Sequence, residues 1–240
     1  MTANTDETYT FGNGVAVRRR HLLDVQVRRY TSADNGNLHE PEEEAWFLRL
    51  LADCPGPAPR FCDIGGGIGY YTLLALLQSP KLEATIFEVL PAHVSAIREN
   101  LALNDVPPDR VRLIEAAAHV AEGEVAFIDS DFSSHVVMEG VPLAKGSPFR
   151  APARDLGAFL AEESAPFDIA KLDVQGGEAE LLAHVVASGQ AAKVCSWIIG
   201  THGAALFDAC REILRPHWRI LHEDPAPPFQ PDGLIVATQA

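Results

Sequence analysis

The sequence predicts an α/β protein: a seven-stranded, mostly parallel sheet with helices on both faces and a C-terminal antiparallel hairpin. Three observations predict it. From residue 60 onward, short apolar runs alternate with longer segments of helical spacing, and parallel neighbours need such crossovers. A glycine-rich turn, Asp63-Ile64-Gly65-Gly66-Gly67-Ile68-Gly69, joins the first run to the first helix. The last two runs are separated only by a Pro-rich loop, which suits an antiparallel pair.

Element by element, RFCDIG (60–65) reads as a buried strand stopped by glycines, and 70–78 as a helix carrying Leu73, Leu74, Leu76 and Leu77. EATIFEV (83–89) is the second strand, and Pro91 suits the first turn of a helix running to about Asn104. VRLIEAA (111–117) is the third strand. FDIAKLDV (167–174) is the fourth, followed by a helix over 178–188 with Gly189 at its C-cap. VCSWIIGT (194–201) is the fifth, and a helix over 204–214 stops before Pro216. WRILHE (218–223) and LIVATQ (234–239) close the sheet.

Residues 1–54 read as an N-terminal extension, and 55–240 as the cofactor-binding domain. Within the extension, 8–30 alternates enough to suggest small strands, and 39–54 looks like a lead-in helix. Residues 119–155 begin with a short strand, GEVAFI (123–128), and continue through SSHVV into a loop. Both regions are candidate walls of a substrate site, or simple covers for sheet edges.

The chain has 240 residues, 19 Lys plus Arg against 33 Asp plus Glu, and a formal charge of −14. That length can bury a sizeable core without disulfides or a structural metal. The charge argues against a nucleic-acid partner, which needs a basic footprint. No run reaches the roughly 18 apolar residues that span a bilayer, and the N-terminus is polar, so a cytoplasmic protein without a membrane partner is expected. Cys54, Cys62, Cys195 and Cys210 show no C-x-x-C spacing and read as free thiols.

The glycine turn carries the most chemistry. Glycines there allow a sharp bend and let a ligand approach the backbone closely. A dinucleotide fingerprint, G-x-G-x-x-G, would need glycine at position 70, which is Tyr70. Asp63 precedes the turn, and an acid repels pyrophosphate but suits an ammonium. The electrostatics select S-adenosyl-L-methionine over NAD. Glu88, ending the second strand, is placed to accept hydrogen bonds from ribose hydroxyls. Glu115 to Ala117 would lie near the adenine.

At two segments the sequence resembles the FkbM family of S-adenosylmethionine-dependent methyltransferases. These are FCDIGGGIGYYTLLAL (61–76) and FDIAKLDVQGGEAELL (167–182), the second similar to the family's K-I-D-V-E-G-x-E signature. The resemblance covers about residues 40–220. It implies a Rossmann-like methyltransferase fold and methyl transfer, usually to a hydroxyl of a natural product or sugar. It also implies cofactor contacts by Asp63, Gly65, Gly67 and Glu88, to which Gly69 of the same turn is added as a cofactor-binding candidate, and Asp173 at the reacting edge. Two departures remove carboxylates: Gln175 replaces the signature's first glutamate, and Gly200-Thr201 precede His202 where relatives often carry an acid.

An alcohol acceptor must lose a proton, which calls for a base within hydrogen-bond reach. Asp173 is the first choice by position and His202 the second by its intrinsic pKa; His135 would serve only if its loop folded inward. Asp173, Glu178 and His202 are conceivable cation ligands, but the pattern is weak and no metal is expected. Glu178 suits the first turn of its helix. Glu42, Glu43 and Glu44 read as a solvated helix start, although one of them could approach the cofactor. Arg18, Arg19, Arg20, Arg28 and Arg29 read as a solvated basic face, or as partners for an anionic acceptor. The expected partner is a small-molecule acceptor; a homodimer is left open. The competing readings are a cofactor-binding module without methyl transfer, an N-methyltransferase and a nicotinamide oxidoreductase.

Overall fold

The computed structural model describes residues 7–129, 135–136 and 147–239. The central sheet contains β3 (Arg60–Ile64), β4 (Glu83–Phe87), β5 (Val111–Ile114), β10 (Phe167–Leu172), β11 (Val194–Thr201), β12 (Trp218–Asp224) and β13 (Gly233–Gln239), in the order β12-β13-β11-β10-β3-β4-β5. β5, β4, β3, β10 and β11 pair in parallel, and β13 runs antiparallel to both β11 and β12. This is the architecture the alternation predicts. The order reverses between β3 and β10, since β4 leaves β3 on one side and β10 joins it on the other. Ligands in such sheets bind beyond the strand ends at that switch.

Side-chain parity sorts the core into two layers. Phe61, Ile169, Ile198 and Val236 pack with α2 (Pro41–Ala52), α3 (Tyr70–Gln78) and α4 (Pro91–Leu103). Cys62, Ile64, Ala170, Leu172, Trp197 and Ile199 pack with α5 (Leu156–Glu162), α6 (Glu178–Ala187) and α7 (Ala204–Leu214). Successive strand residues face opposite sides, so Asp63 and Lys171 share the α2/α3 face with Phe61 and Ile169. They are also register partners across β3 and β10. Parity therefore buries an acid and an ammonium side by side.

The N-terminal region departs from its expectation. β1 (Thr8–Thr10) and β2 (Ala16–Arg18) form a two-stranded sheet, but a 3-10 turn and then α1 (Asp24–Tyr30) follow where further strands were expected. Phe11, Val15, Val17, Leu22 and Tyr30 join the same core as Phe47, Phe61 and Leu73, so this region is packed against the domain. Arg19 pairs with Asp24 and Arg20 with Glu99, which uses two of the five clustered arginines at the surface.

The third strand stops at Ile114, three residues early. Ala117–His119 instead forms β6, in a second sheet ordered β6-β9-β7-β8 with β7 (Gly123–Asp129), β8 (His135–Val136) and β9 (Ser147–Asp155). The sequence reading anticipated β7 alone. His135 pairs through its backbone with Ile128; its side chain, and residues 133, 134 and 137 of SSHVV, lie outside the described residues. All four cysteines are free. Among the described residues no helix is long and apolar enough to cross a membrane.

Candidate active site

The glycine turn leaves β3 and enters α3 through three left-handed residues, Gly65 (φ 88°), Gly67 (φ 55°) and Gly69 (φ 84°). A Cβ on Gly65 would sit 1.9 Å from the Asp173 carbonyl oxygen, so this glycine lets β3 and β10 end in contact. A Cβ on Gly67 would meet nothing within 4 Å, because that position opens onto a cavity. Gly69 is a turn residue against Ile97 and is not a cavity wall.

The cavity has a volume of about 150 Å³ and opens to solvent at its mouth. It runs along the strand ends from β4 to β10. At the β4 end stand Glu88, Val89, Leu90, Ala116, Ala117 and Phe127. Glu88 Oε2 accepts from the Gly67 amide at 2.8 Å, and Oε1 accepts from the Val89 and Leu90 amides, each at 2.8 Å. These bonds fix the carboxylate on the glycine loop. Both lone pairs of Oε1 are thereby engaged and one of Oε2, with His93 Nδ1 at 3.5 Å from Oε2, so one acceptor position remains for a hydroxyl. Ala116 and Ala117 line the cavity with small side chains. Glu115 is not brought here: it is exposed, pairs with Arg98 and does not line the cavity. The strand ends before it, which turns its side chain to solvent.

At the β10 end the walls are Asp63, Tyr70, Tyr71, Lys171, Asp173 and His39. Thr72 donates to Asp63 Oδ2 at 2.8 Å. Burial pushes the Asp63 carboxyl up to about 6, against the opposing pull of Lys171 and Thr72. Lys171 Nζ lies 3.0 Å from Asp173 Oδ2, 3.1 Å from Glu43 Oε1 and 4.8 Å from the Tyr71 ring centre. Burial works against its charge, but Asp173, Glu43, Glu40 and Asp63 outweigh it and hold the ammonium protonated. Asp173 Oδ1 accepts from Gln175 Nε2 at 3.1 Å. Burial would raise the Asp173 carboxyl; Lys171 and His202 bring it below the ordinary range. Asp173 is thus an oriented anion with a donor on each oxygen. Gln175 makes this possible from a left-handed backbone (φ 59°), and a glutamate could not donate there.

His202 lies behind Asp173, outside the cavity wall. Its Nδ1 is 2.9 Å from Glu178 Oε1, and its Nε2 is 3.1 Å from Asp232 Oδ1 and 3.7 Å from Asp173 Oδ1. Burial lowers its pKa, yet the Glu178 bond with Asp173 and Asp232 carries it up to about 9. Raised in this way, the imidazole suits charge support of Asp173 more than the role of base expected from its ordinary pKa. One donor atom each from Asp173, Glu178 and His202 falls within 4.8 Å of the others. Glu178, fully buried, is already engaged by the Val174 and Gly176 amides and by His202. The imidazole faces carboxylates on both sides, so an ion-pair network accounts for the geometry.

Two further corrections concern α2. Glu43 and Glu44 are each 1% exposed, not solvated; Glu44 accepts from Tyr70 Oη at 2.7 Å and from the His39 amide at 2.7 Å. Glu42 alone of the three stays near the surface, 2.7 Å from His222. Sequence reading also missed His39. Its ring lines the cavity, with Nδ1 2.6 Å from the Tyr30 hydroxyl and its centre 4.7 Å from that of Tyr70. Burial, aided by Arg29, drives its pKa down to about 3, so it is a neutral imidazole. No periodicity flags a lone histidine before a helix; its placement depends on Tyr30 and Tyr70.

Sheet order and the loop-to-strand-end cavity together define a Rossmann-like methyltransferase fold. No known protein family and no curated protein matches the sequence, but solved structures share the fold. Methyltransferase FkbM from Methylobacillus flagellatus KT is 15% identical, with a TM-score of 0.55 over 75% of this chain and 44% of that one. The magnesium protoporphyrin IX methyltransferase ChlM from Synechocystis PCC 6803, with bound SAM, is 13% identical, with a TM-score of 0.52 over 84% and 80%. The METTL16 methyltransferase domain is 13% identical, with a TM-score of 0.51 over 82% and 65%. The chain therefore spans less than two thirds of the FkbM and METTL16 chains. Likeness at these identities is one of fold, and the chemistry must be argued from the site.

Proposed function

We propose that the protein is an S-adenosyl-L-methionine-dependent methyltransferase whose acceptor is a small molecule, with O-methylation of a natural-product or sugar hydroxyl as the reaction. One observation carries the reading: a cavity joins the glycine turn to the strand-end carboxylate Glu88 on one side and to Asp63 and Asp173 on the other. The residues fit this cofactor. Glu88 would take a ribose hydroxyl, Ala116 and Ala117 would flank the adenine, and Gly65 and Gly67 would let the ligand lie on the backbone. Asp63 would face the ammonium of the amino-acid portion. When bound, the cofactor supplies an electrophilic methyl group on a sulfonium. A pyrophosphate on the glycine turn would meet Asp63, which is of the wrong sign.

The protein's own contribution is positioning and charge. Asp173, fixed by Lys171 and Gln175, would accept a hydrogen bond from the acceptor and orient its lone pair. Its lowered pKa makes it a weak base, so it would take the hydroxyl proton and pass it to solvent as the oxygen–methyl bond forms and the bond from methyl to sulfur breaks. His202, held cationic among three carboxylates, supports Asp173 from behind. The acidic chain, at −14, favours a small acceptor over a nucleic acid.

The test is a screen of hydroxyl-bearing acceptors with methyl-labelled cofactor. Label should appear in at least one acceptor, and Asp173→Asn should cut the rate at least 100-fold while S-adenosylhomocysteine affinity stays within threefold. Tight cofactor binding with no transfer to any hydroxyl or amine acceptor would reject the enzyme reading.

A further inference from the structure

At its β10 end the cavity is lined by Asp63, Asp173 and Lys171, and buried behind that wall stand Glu40, Glu43 and Glu44, so acids outnumber cations there. Lys171 sits at the centre of this group. From α2, Glu43 approaches it at 3.1 Å, and Glu40 accepts from the Tyr71 hydroxyl at 3.1 Å. From β3 and the end of β10 come Asp63 and Asp173. Glu44 lies next along α2, and Asp232, before β13, reaches the group through His202. The cations facing this assembly are Arg29 of α1 and His202 at the end of β11, besides Lys171 itself. His202 is already shared among Glu178, Asp173 and Asp232. Tyr30, Tyr70, Tyr71 and His39 complete the surroundings as neutral groups. Glu43, 1% exposed, has one oxygen whose sole contact is the ion pair with Lys171.

A buried carboxylate without a counter-charge is strongly disfavoured. Only two events relieve it: the carboxylate takes a proton, or a cationic ligand arrives. We propose that the β10 end of this cavity selects its ligand by positive charge, holding the sulfonium form of the cofactor in preference to the uncharged thioether that remains after methyl transfer. The inference rests on the cofactor reading above. Both ligand forms carry the same amino-acid ammonium and carboxylate, so the preference isolates the sulfonium. It follows that the product is held more weakly than the substrate form, and that acid erases the difference. Burial raises Glu40 and Glu43 to about 7 and Asp63 to about 6, with Lys171 opposing each. Ionised above those values, they attract a cation; protonated below them, they do not.

The test is calorimetric titration of the full chain with S-adenosylmethionine, S-adenosylhomocysteine and sinefungin, an analogue with an amine in place of the methylated sulfur, between pH 5.5 and 8.5. At pH 8 the two cationic ligands should bind at least tenfold more tightly than the thioether. At pH 5.5 the ratio should fall below threefold. Glu43→Gln should reduce the pH 8 ratio at least threefold without changing thioether affinity; should that variant not fold, the pH series on the native chain decides. Equal affinities at pH 8, or a ratio that does not move with pH, would overturn the inference and leave the cofactor reading standing. Failure of all three ligands to bind would overturn both.

Discussion

At the β4 end of the cavity, one carboxylate, Glu88, is fastened by three backbone amides and flanked by alanines. At the β10 end, Lys171 is surrounded by acids from α2, β3 and β10, with aromatic rings from α1 and α3 behind them. The first end is made by local backbone geometry, so its recognition depends little on the rest of the chain. The second end is made by burial, and its charge depends on groups far apart in sequence. Shape and charge recognition are thus divided between the two ends, with the glycine turn between them.

The largest effect is expected at that junction. Gly65→Ala places a Cβ 1.9 Å from the Asp173 carbonyl oxygen at a positive φ, and should destabilise the fold by about 4 kcal/mol in chemical denaturation. Lys171→Met removes the cation from the acidic end and should cost about 3 kcal/mol at pH 8. The sign follows from the raised carboxyl pKa values. Glu40, Glu43 and Asp63 take up protons as pH falls through about 7 and 6, so the penalty should shrink by pH 5.5. A penalty independent of pH would mean the acids are not coupled to Lys171. His202 adds to the same trend: its folded pKa of about 9 gives stability that is complete below about 6.5 and lost as pH rises through 9.

The β4 end should behave differently. Glu88→Ala should weaken S-adenosylhomocysteine binding at least tenfold, about 1.4 kcal/mol, by a similar factor at pH 6 and pH 8. Glu115→Ala, one strand away at the surface, should change neither binding nor stability by more than about 0.5 kcal/mol.

The same division explains what the sequence made legible. The α3 limits, 70–78, and the strands flanking it follow from glycines, proline and apolar period, all local signals. Asp63, Gly67, Glu88 and Asp173 could be placed because strand ends in this architecture face one crevice. α1 was misread because Val25 and Val27 alternate like a strand; Val25 stays 59% exposed, so no helical apolar stripe exists to be seen. Glu43 and Glu44 look solvated in sequence because acids at a helix start normally face water. Their burial is decided by Lys171, Tyr70 and Asn13, which sequence spacing does not bring near. The break after Ile114 was invisible because Glu115-Ala116-Ala117 continues an apolar run without a glycine or proline.

The central claim is that the cavity binds S-adenosylmethionine and not a dinucleotide. Calorimetric titration of the purified chain with S-adenosylhomocysteine, with NAD in parallel, tests it most directly. The structure predicts saturable binding of S-adenosylhomocysteine at one site per chain, and no heat from NAD. Saturable binding of NAD without S-adenosylhomocysteine would contradict the assignment of Asp63, Gly67 and Glu88, and with it the proposed reaction.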